Sequence, residues 1–145
     1  MSAADELKAR IDTIEESYEL FLAYAAQGVS GEQAAKSSGQ VREFLQRTEL
    51  ALPQLADLFA QLVEERGIAN AERYHAFIDV LRQDAGNALA PVQLVLAQSA
   101  ISSQMIDNLN ALIHIRALLT DVFLIDEILD PNAPQAPMAQ RPSTE

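Results

Sequence analysis

His75 follows Glu72 by three residues and precedes Asp79 by four, so these three side chains would share one face of a helix. Carboxylate-bridged di-iron bundles use two such Glu-x-x-His pairs and two further glutamates, all pointing inward. The other histidine, His114, has no glutamate three residues before it, so the second pair is missing. We therefore interpret residues 72–79 as a solvated helix face, and we expect neither a metal site nor a cofactor.

His114 is the second candidate, because it lies inside an apolar stretch of sequence. On a helix, Asp107, Asn110, His114 and Asp121 fall on one side and form a thin polar strip. One interpretation is a pocket inside a bundle for haem or another small apolar ligand, with Tyr18 and Tyr24 as further polar contacts. The other is an ordinary packed residue, which we favour because the sequence has no Cys-x-x-Cys-His and no evident second axial ligand.

Catalytic signatures are absent from the sequence. The chain has no cysteine, which excludes a thiol nucleophile and a thiolate metal site. No Gly-x-Ser-x-Gly elbow is present, and Gly28 and Gly31 bracket a turn that lacks the lysine of a phosphate-binding loop. We therefore predict that the protein is not an enzyme.

The net charge of −11, from 21 acidic and 10 basic residues, argues against nucleic acid as a partner because phosphates repel an acidic surface. The apolar fraction of 49% is too high for a disordered polyanion. Residues 85–106 carry no charge, but they contain Gly, Asn, Pro, Gln and Ser residues that are costly in hydrocarbon. Since no signal-peptide pattern is present either, we predict a cytoplasmic protein without a membrane span.

Helical periodicity is the dominant pattern of the chain. Apolar residues alternate at spacings of four and three, which places them on one stripe of a helix, and strand-like alternation is missing. The pattern predicts an all-α fold, an antiparallel four-helix bundle with long, kinked helices. The four predicted segments are residues 4–27, 31–66, 71–97 and 103–129.

Turn-forming residues mark the ends of these segments. Gly28 is a candidate left-handed residue after the first helix, and Ser30 with Gln33 forms a candidate capping box for the second. Ser102 or Ser103 is the predicted cap of the fourth helix.

Two prolines lie inside the predicted helices. Pro53 interrupts the second stripe without shifting its phase, so we predict a kinked but continuous helix there, with residues 31–38 as a candidate separate turn. We also predict that the third helix kinks near Pro91 and continues. Pro131 ends the fourth helix, which divides the chain into a bundle domain at 1–130 and a disordered tail rich in Pro, Ala and Gln at 131–145.

Residues 85–115 carry a single formal charge, that of Asp107. The stretch is either a helix–turn–helix corner buried on most sides or a face that binds protein. The fourth helix favours a protein partner, because its apolar residues cover nearly every face whereas each helix of a small bundle keeps one face in water. The residues that we predict to bind a partner are Ile106, Leu109, Ile113, Leu119, Phe123 and Ile125.

The sequence therefore predicts a non-enzymatic protein–protein interaction module, an accessory, scaffold or assembly factor. It would bind a partner or self-associate, as a homodimer or a larger oligomer, through its last two helices. One alternative is a carrier of haem or another small apolar ligand in a pocket of the bundle. Another is a reversible coat on an apolar surface, on which the helices open and lay their stripes flat.

Overall fold

The computed structural model describes residues 2–130, apart from the side chains of Lys36 and Ser37. Within these residues the chain is all-α, as predicted, with seven helices and no strand. Their bounds are α1 Ala3–Gln27, α2 Gly31–Ser37, α3 Gly39–Ala51, α4 Leu55–Glu65, α5 Ala71–Leu96, α6 Ser103–Ala111 and α7 Ile113–Leu129. The predicted tail at 131–145 lies outside the described residues.

Both ends of α1 are fixed by local hydrogen bonding and backbone geometry. The hydroxyl of Ser2 accepts from the backbone N–H of Asp5 at 3.1 Å. Gly28 adopts φ 68°, which confirms the predicted left-handed residue after the helix. The predicted capping box is wrong in detail, because Ser30 precedes α2 but makes no capping hydrogen bond with its side chain.

The second predicted segment is three helices rather than one. The separate turn predicted at its start is α2. The prediction of a continuous helix through Pro53 is wrong, because α3 ends at Ala51 and Gln54 adopts the left-handed conformation at φ 69° before α4 begins. Every member of the predicted stripe is nevertheless buried, namely Val41, Leu45, Thr48, Leu52, Leu55, Phe59 and Leu62.

The third predicted segment is one continuous helix, whereas the fourth is broken into two. Helix α5 continues through Pro91, as predicted. The fourth segment breaks at Leu112, whose backbone is extended at φ −63° and ψ 136°, so the prediction of one helix is wrong. The predicted cap at Ser102 is confirmed, since its hydroxyl accepts from the N–H of Met105 at 3.1 Å.

The helices enclose two clusters of buried side chains. The larger cluster joins the first half of α1 to α4, α5 and α7, and Phe59 and Leu81 are among its most buried members. The smaller cluster joins the second half of α1 to α3 and α6, around Leu45 and Ile106. Helix α5 packs along α7, and α1 packs against α3, α4 and α6. This packing is compatible with a helical bundle.

Three arginines cap the carboxyl ends of neighbouring helices. Arg10 caps α3, Arg42 caps α5 and Arg66 caps α7, and each guanidinium donates to carbonyl groups that have no partner within their own helix. The acceptors are the carbonyl oxygens of Leu50, Ala51 and Pro53 for Arg10, of Leu96 and Gln98 for Arg42, and of Leu129 for Arg66. Charge-assisted bonds of this kind fix which helix ends lie side by side.

Candidate protein interaction surface

Helix α7 leaves large apolar side chains exposed on its outer side. Ile113 has 72% of its surface exposed and Leu124 has 50%, and Phe123 and Ile128 are exposed to a similar degree. Residues 113, 124 and 128 share one side of the helix by their spacing, and Phe123 lies at the edge of that side, about 100° round the helix from Leu124. These side chains point away from the core that buries Leu118, Val122 and Ile125.

Helix α5 extends this apolar surface. Its residue Asp84 reaches Asp121 of α7, which identifies the side of α5 that adjoins α7. The exposed Val80 precedes Asp84 by one turn and lies on the same side of α5. Leu94, at 66% exposure, lies within about 90° of Asp84 around the helix axis. We call this surface the α5–α7 face; its members are Val80, Leu94, Ile113, Phe123, Leu124 and Ile128.

A pair of carboxyl groups lies where the two helices meet. Burial raises the pKa of Asp121 from its ordinary 3.8 to about 7, and a hydrogen bond to Asp84 and the charge of that residue add to the shift. The Oδ2 atom of Asp121 is fully buried. The pair is therefore partly protonated near neutral pH, which lowers the negative charge beside an apolar surface.

The outer side of α7 is close to neutral in charge. Arg116 and Glu127 lie on it with opposite charges, and Thr120 between them is exposed and uncharged. The chain as a whole carries −11, so this surface differs from most of the molecule. A neutral, partly apolar surface costs less to dehydrate than an acidic one.

Three other large apolar side chains of the described residues are exposed, and one of them, Leu112 at 38%, adjoins Ile113. Leu22 of α1 is 48% exposed and Leu50 of α3 is also exposed. Single exposed leucines are ordinary on protein surfaces. The grouping on α5 and α7 is what distinguishes the α5–α7 face.

The structure divides the six residues predicted to bind a partner. Ile113 and Phe123 are exposed and belong to the α5–α7 face. The other four are buried within the chain itself, which corrects their assignment to a surface: Ile106, Leu109, Leu119 and Ile125. The break at Leu112 is the physical reason, because α6 and α7 then bury different sides and together account for most of the apolar residues.

A buried serine of the uncharged stretch forms hydrogen bonds within the chain. Ser103 is buried, and its hydroxyl donates to the carbonyl of Tyr24 at 2.6 Å and accepts from the N–H of Val29 at 2.8 Å. The N–H of Ser103 donates to the carbonyl of Val29 at 2.8 Å. These bonds join the start of α6 to the end of α1, as expected for a buried corner.

The three predicted ligand contacts are not brought together. His114 is exposed at the start of α7, and the hydroxyl of Tyr24 donates to the carbonyl of Ile101 at 2.5 Å inside the smaller cluster. Tyr18 is half-buried and lines a cavity of about 30 Å³ together with Asn110. That volume corresponds to about one water molecule, far less than haem requires. The carrier function stays a prediction, and these residues give it no pocket.

Asn110 has an unusual environment. Its side-chain amide is buried, and neither its oxygen nor its nitrogen has a hydrogen-bond partner within residues 2–130. The cavity beside it is lined mainly by apolar side chains, among them Leu109, Leu118 and Leu119. A buried amide without a partner destabilises the folded state.

Glu72, His75 and Asp79 lie along the N-terminal half of α5, as the spacing predicted. Glu72 and Asp79 are exposed and His75 is half-buried. In the part of the chain that the structure describes, no three His, Asp or Glu side chains are close enough to hold a metal ion.

An acidic groove of about 420 Å³ runs between the start of α1, the end of α4 and the end of α7. Burial, and then the charge of Asp12, raises the pKa of Glu15, and burial and the charge of Asp130 raise that of Asp126. The sequence did not predict this groove, because an antiparallel bundle places the end of the last helix near the start of the first without indicating which side chains leave a space between them. Its acidic residues are Asp5, Asp12, Glu15, Asp126 and Asp130.

The chain matches no protein-family model, no curated protein and no solved structure at a significant level. Across residues 2–130, no helix is both long and apolar enough to cross a membrane.

Proposed function

We propose that this protein is a non-enzymatic interaction module that binds protein, either a second copy or another chain, through the α5–α7 face. It acts as an accessory, scaffold or assembly factor. In this proposal the helices form four antiparallel layers of a bundle, with α2–α4 as one interrupted layer and α6–α7 as another. The bundle presents the face on its outside.

The observation that carries the proposal is the grouping of six exposed apolar side chains on two adjacent helices. Burial of apolar area stabilises an association by roughly 25 cal/mol for each Å² removed from water. The neutral charge of the face supports the same role, because depletion of charge is typical of the centre of protein interfaces. The acidic remainder of the surface would steer basic partners toward the molecule.

The test is a matched pair of substitutions, Leu124→Glu on the face and Leu22→Glu on α1. The two leucines have similar exposure, 50% and 48%, so both variants should stay folded. Helix α1 does not contribute to the α5–α7 face. Sedimentation velocity of each variant, with a pull-down from the native cell, measures self-association and partner binding together.

We expect Leu124→Glu to abolish the association and Leu22→Glu to preserve it, because only the first places an unpaired charge in the proposed interface. Equal association by both variants and the wild type would contradict the proposal. Circular dichroism of each variant checks that its helices are intact.

A further inference from the structure

We infer that the occupant of the α5–α7 face is a second copy of the chain, whose α7 packs antiparallel to the first around a twofold axis beside Thr120. This inference rests on the proposed function and adds the partner and its orientation. It follows from the order of apolar, small and charged residues along the outer side of α7.

The outer side of α7 has a repeat that suits helix pairing. Residues 113, 117, 120, 124 and 128 follow spacings of four, three, four and four, which is close to the seam of a coiled coil. In an antiparallel pair centred beside Thr120, Ile113 lies level with Ile128 of the second copy. Ala117 then lies level with Leu124 of the second copy, so a small residue meets a large one at this step.

The small residues at the centre favour close approach. Ala117 is half-buried against its own chain and Thr120 is exposed, and neither extends far from the helix. Twofold packing brings two copies of the same surface together, so the centre of the surface meets itself. Bulky Leu124 and Phe123 then lie on both sides of a narrow central contact.

Charge decides the orientation. Arg116 and Glu127 lie on the same edge of the outer side, eleven residues apart. An antiparallel pair places Arg116 of each copy near Glu127 of the other, which gives two opposite-charge contacts. In a parallel pair the same edges of the two helices lie on opposite sides of the contact, so neither Arg116 nor Glu127 meets an opposite charge of the other copy.

Charge also favours this side of the molecule over the side formed by α1. Two chains of net charge −11 repel each other, and most exposed faces of α1 carry several acids. The outer side of α7 has one base and one acid, and the proton held by Asp84 and Asp121 lowers the negative charge beside it. Approach through α7 is therefore less repulsive than approach through α1.

Because the chain has no cysteine, single cysteines report the orientation directly. Full-length variants Ala117→Cys, Thr120→Cys and Leu124→Cys are oxidised gently, each alone and as a mixture of the first with the third. Leu22→Cys on α1 is the matched control. Disulfides form only where Cα atoms approach within about 7 Å, so the products identify neighbouring positions.

We expect Thr120→Cys to form a homodisulfide on the order of tenfold faster than Leu22→Cys, because docked thiols meet at a higher effective concentration. The mixture should give the Ala117→Cys to Leu124→Cys heterodimer in excess over both homodimers. Reversal of charge at positions 116 and 127 is a second test of the orientation. Arg116→Glu should weaken the dimer, and the double variant Arg116→Glu with Glu127→Arg should restore it.

Homodisulfides of Ala117→Cys and Leu124→Cys in excess over the heterodimer would show a parallel pair and overturn the inference. A chain that stays monomeric at all concentrations would overturn it as well. A different result would contradict the proposed function: Leu124→Glu would leave both self-association and the binding of other proteins unchanged. A heterologous partner lost by Leu124→Glu, with no cross-link at position 120, would preserve the function and reject the second copy.

Discussion

The carboxyl group of Asp121 on α7 lies beside that of Asp84 on α5 at the junction of the two helices, and the buried Oδ2 atom of Asp121 has no hydrogen-bond partner within residues 2–130. Two carboxylates this close cannot both be ionised without repulsion, and partial burial adds to the cost of charge. The folded protein therefore retains a proton that the unfolded chain releases. This relationship makes stability depend on pH in a direction opposite to that of a salt-bridged acid.

Asp121→Asn should remove that dependence. The pKa of Asp121 is about 7 in the folded state against an ordinary 3.8, so the folded state binds the extra proton between these values. The contribution to the free energy of unfolding is full near the lower value and is lost as pH rises through the upper one. We expect Asp121→Asn to raise the free energy of unfolding by about 1 kcal/mol at pH 8, after allowance for solvent screening, and to give no gain at pH 4.

Urea denaturation between these two pH values measures the effect, with Asp79→Asn as the control. Asp79 is exposed and lies five residues before Asp84 on the same helix. A wild type and an Asp121→Asn variant with the same pH profile would show that the pair does not hold a proton.

Leu119→Glu and Phe123→Glu should have opposite consequences, although the residues are one helical turn apart. Leu119 is buried in the larger cluster, so an unpaired charge there should lower the free energy of unfolding by about 3 kcal/mol or more. Phe123 is exposed, and the same change should cost less than about 1 kcal/mol while it weakens association. Thermal unfolding and sedimentation, measured on both variants, separate the two effects. Similar losses of stability would contradict the division of α7 into an inner and an outer side.

Arg42→Met should destabilise the fold through the end of α5. The guanidinium of Arg42 donates to the carbonyls of Leu96 at 2.9 Å and Gln98 at 2.7 Å, and methionine keeps most of the apolar stem but none of the donors. We expect a loss of about 1–3 kcal/mol, as for hydrogen bonds to a charged group.

Arg47→Met is the matched control on the same helix. The Arg47 guanidinium lies 4.6 Å from the centre of the Phe44 ring and pairs with Glu43 at the surface. Contacts of this exposed kind contribute about 1 kcal/mol or less. Chemical denaturation of both variants gives the comparison, and an equal loss from the two would reject the capping role of Arg42.

The sequence predicted which residues are buried better than it predicted where a helix is interrupted. All seven members of the stripe from Val41 to Leu62 are buried, although Pro53 and Gln54 separate α3 from α4 within it. A hydrophobic pattern with unshifted phase therefore does not distinguish one kinked helix from two helices with a short break between them. In both cases the apolar side chains before and after the proline face the same core. The periodicity determines which side is inside, whereas the local backbone at Gln54 determines where the helix ends.

The candidate surface was predicted only in part, for a related reason. A pattern read as one helix from 103 to 129 is apolar on nearly every side, which suggested that residues such as Ile106 and Ile125 required a partner. With the break at Leu112, each half buries its own side and a smaller set remains outside. The sequence predicted binding through the last two segments, of which α5 is one, but it did not indicate which side of α5 takes part, because that side is set by the contact of Asp84 with Asp121 across the fold.

Asn110→Leu should stabilise the protein. The amide of Asn110 is buried beside an apolar cavity of about 30 Å³ and has no partner within residues 2–130. Leucine is of similar size and removes two polar atoms, so we expect a gain of about 1–2 kcal/mol in the free energy of unfolding. Thermal denaturation of the variant and of Asn108→Leu, an exposed position on the same helix, makes the comparison. A loss of stability on Asn110→Leu would contradict the expectation that the unpartnered amide destabilises the fold.

Site-specific photo-crosslinking in the native cell tests most directly whether the α5–α7 face is covered by protein. A photoreactive phenylalanine derivative is placed at position 124 in one variant and at position 22 in another, where the exposure of the native leucines is nearly equal. The account predicts a discrete cross-linked protein species, either a dimer of the chain or a single heterologous complex, from position 124 and none from position 22. Equal or absent protein adducts at the two positions would contradict it.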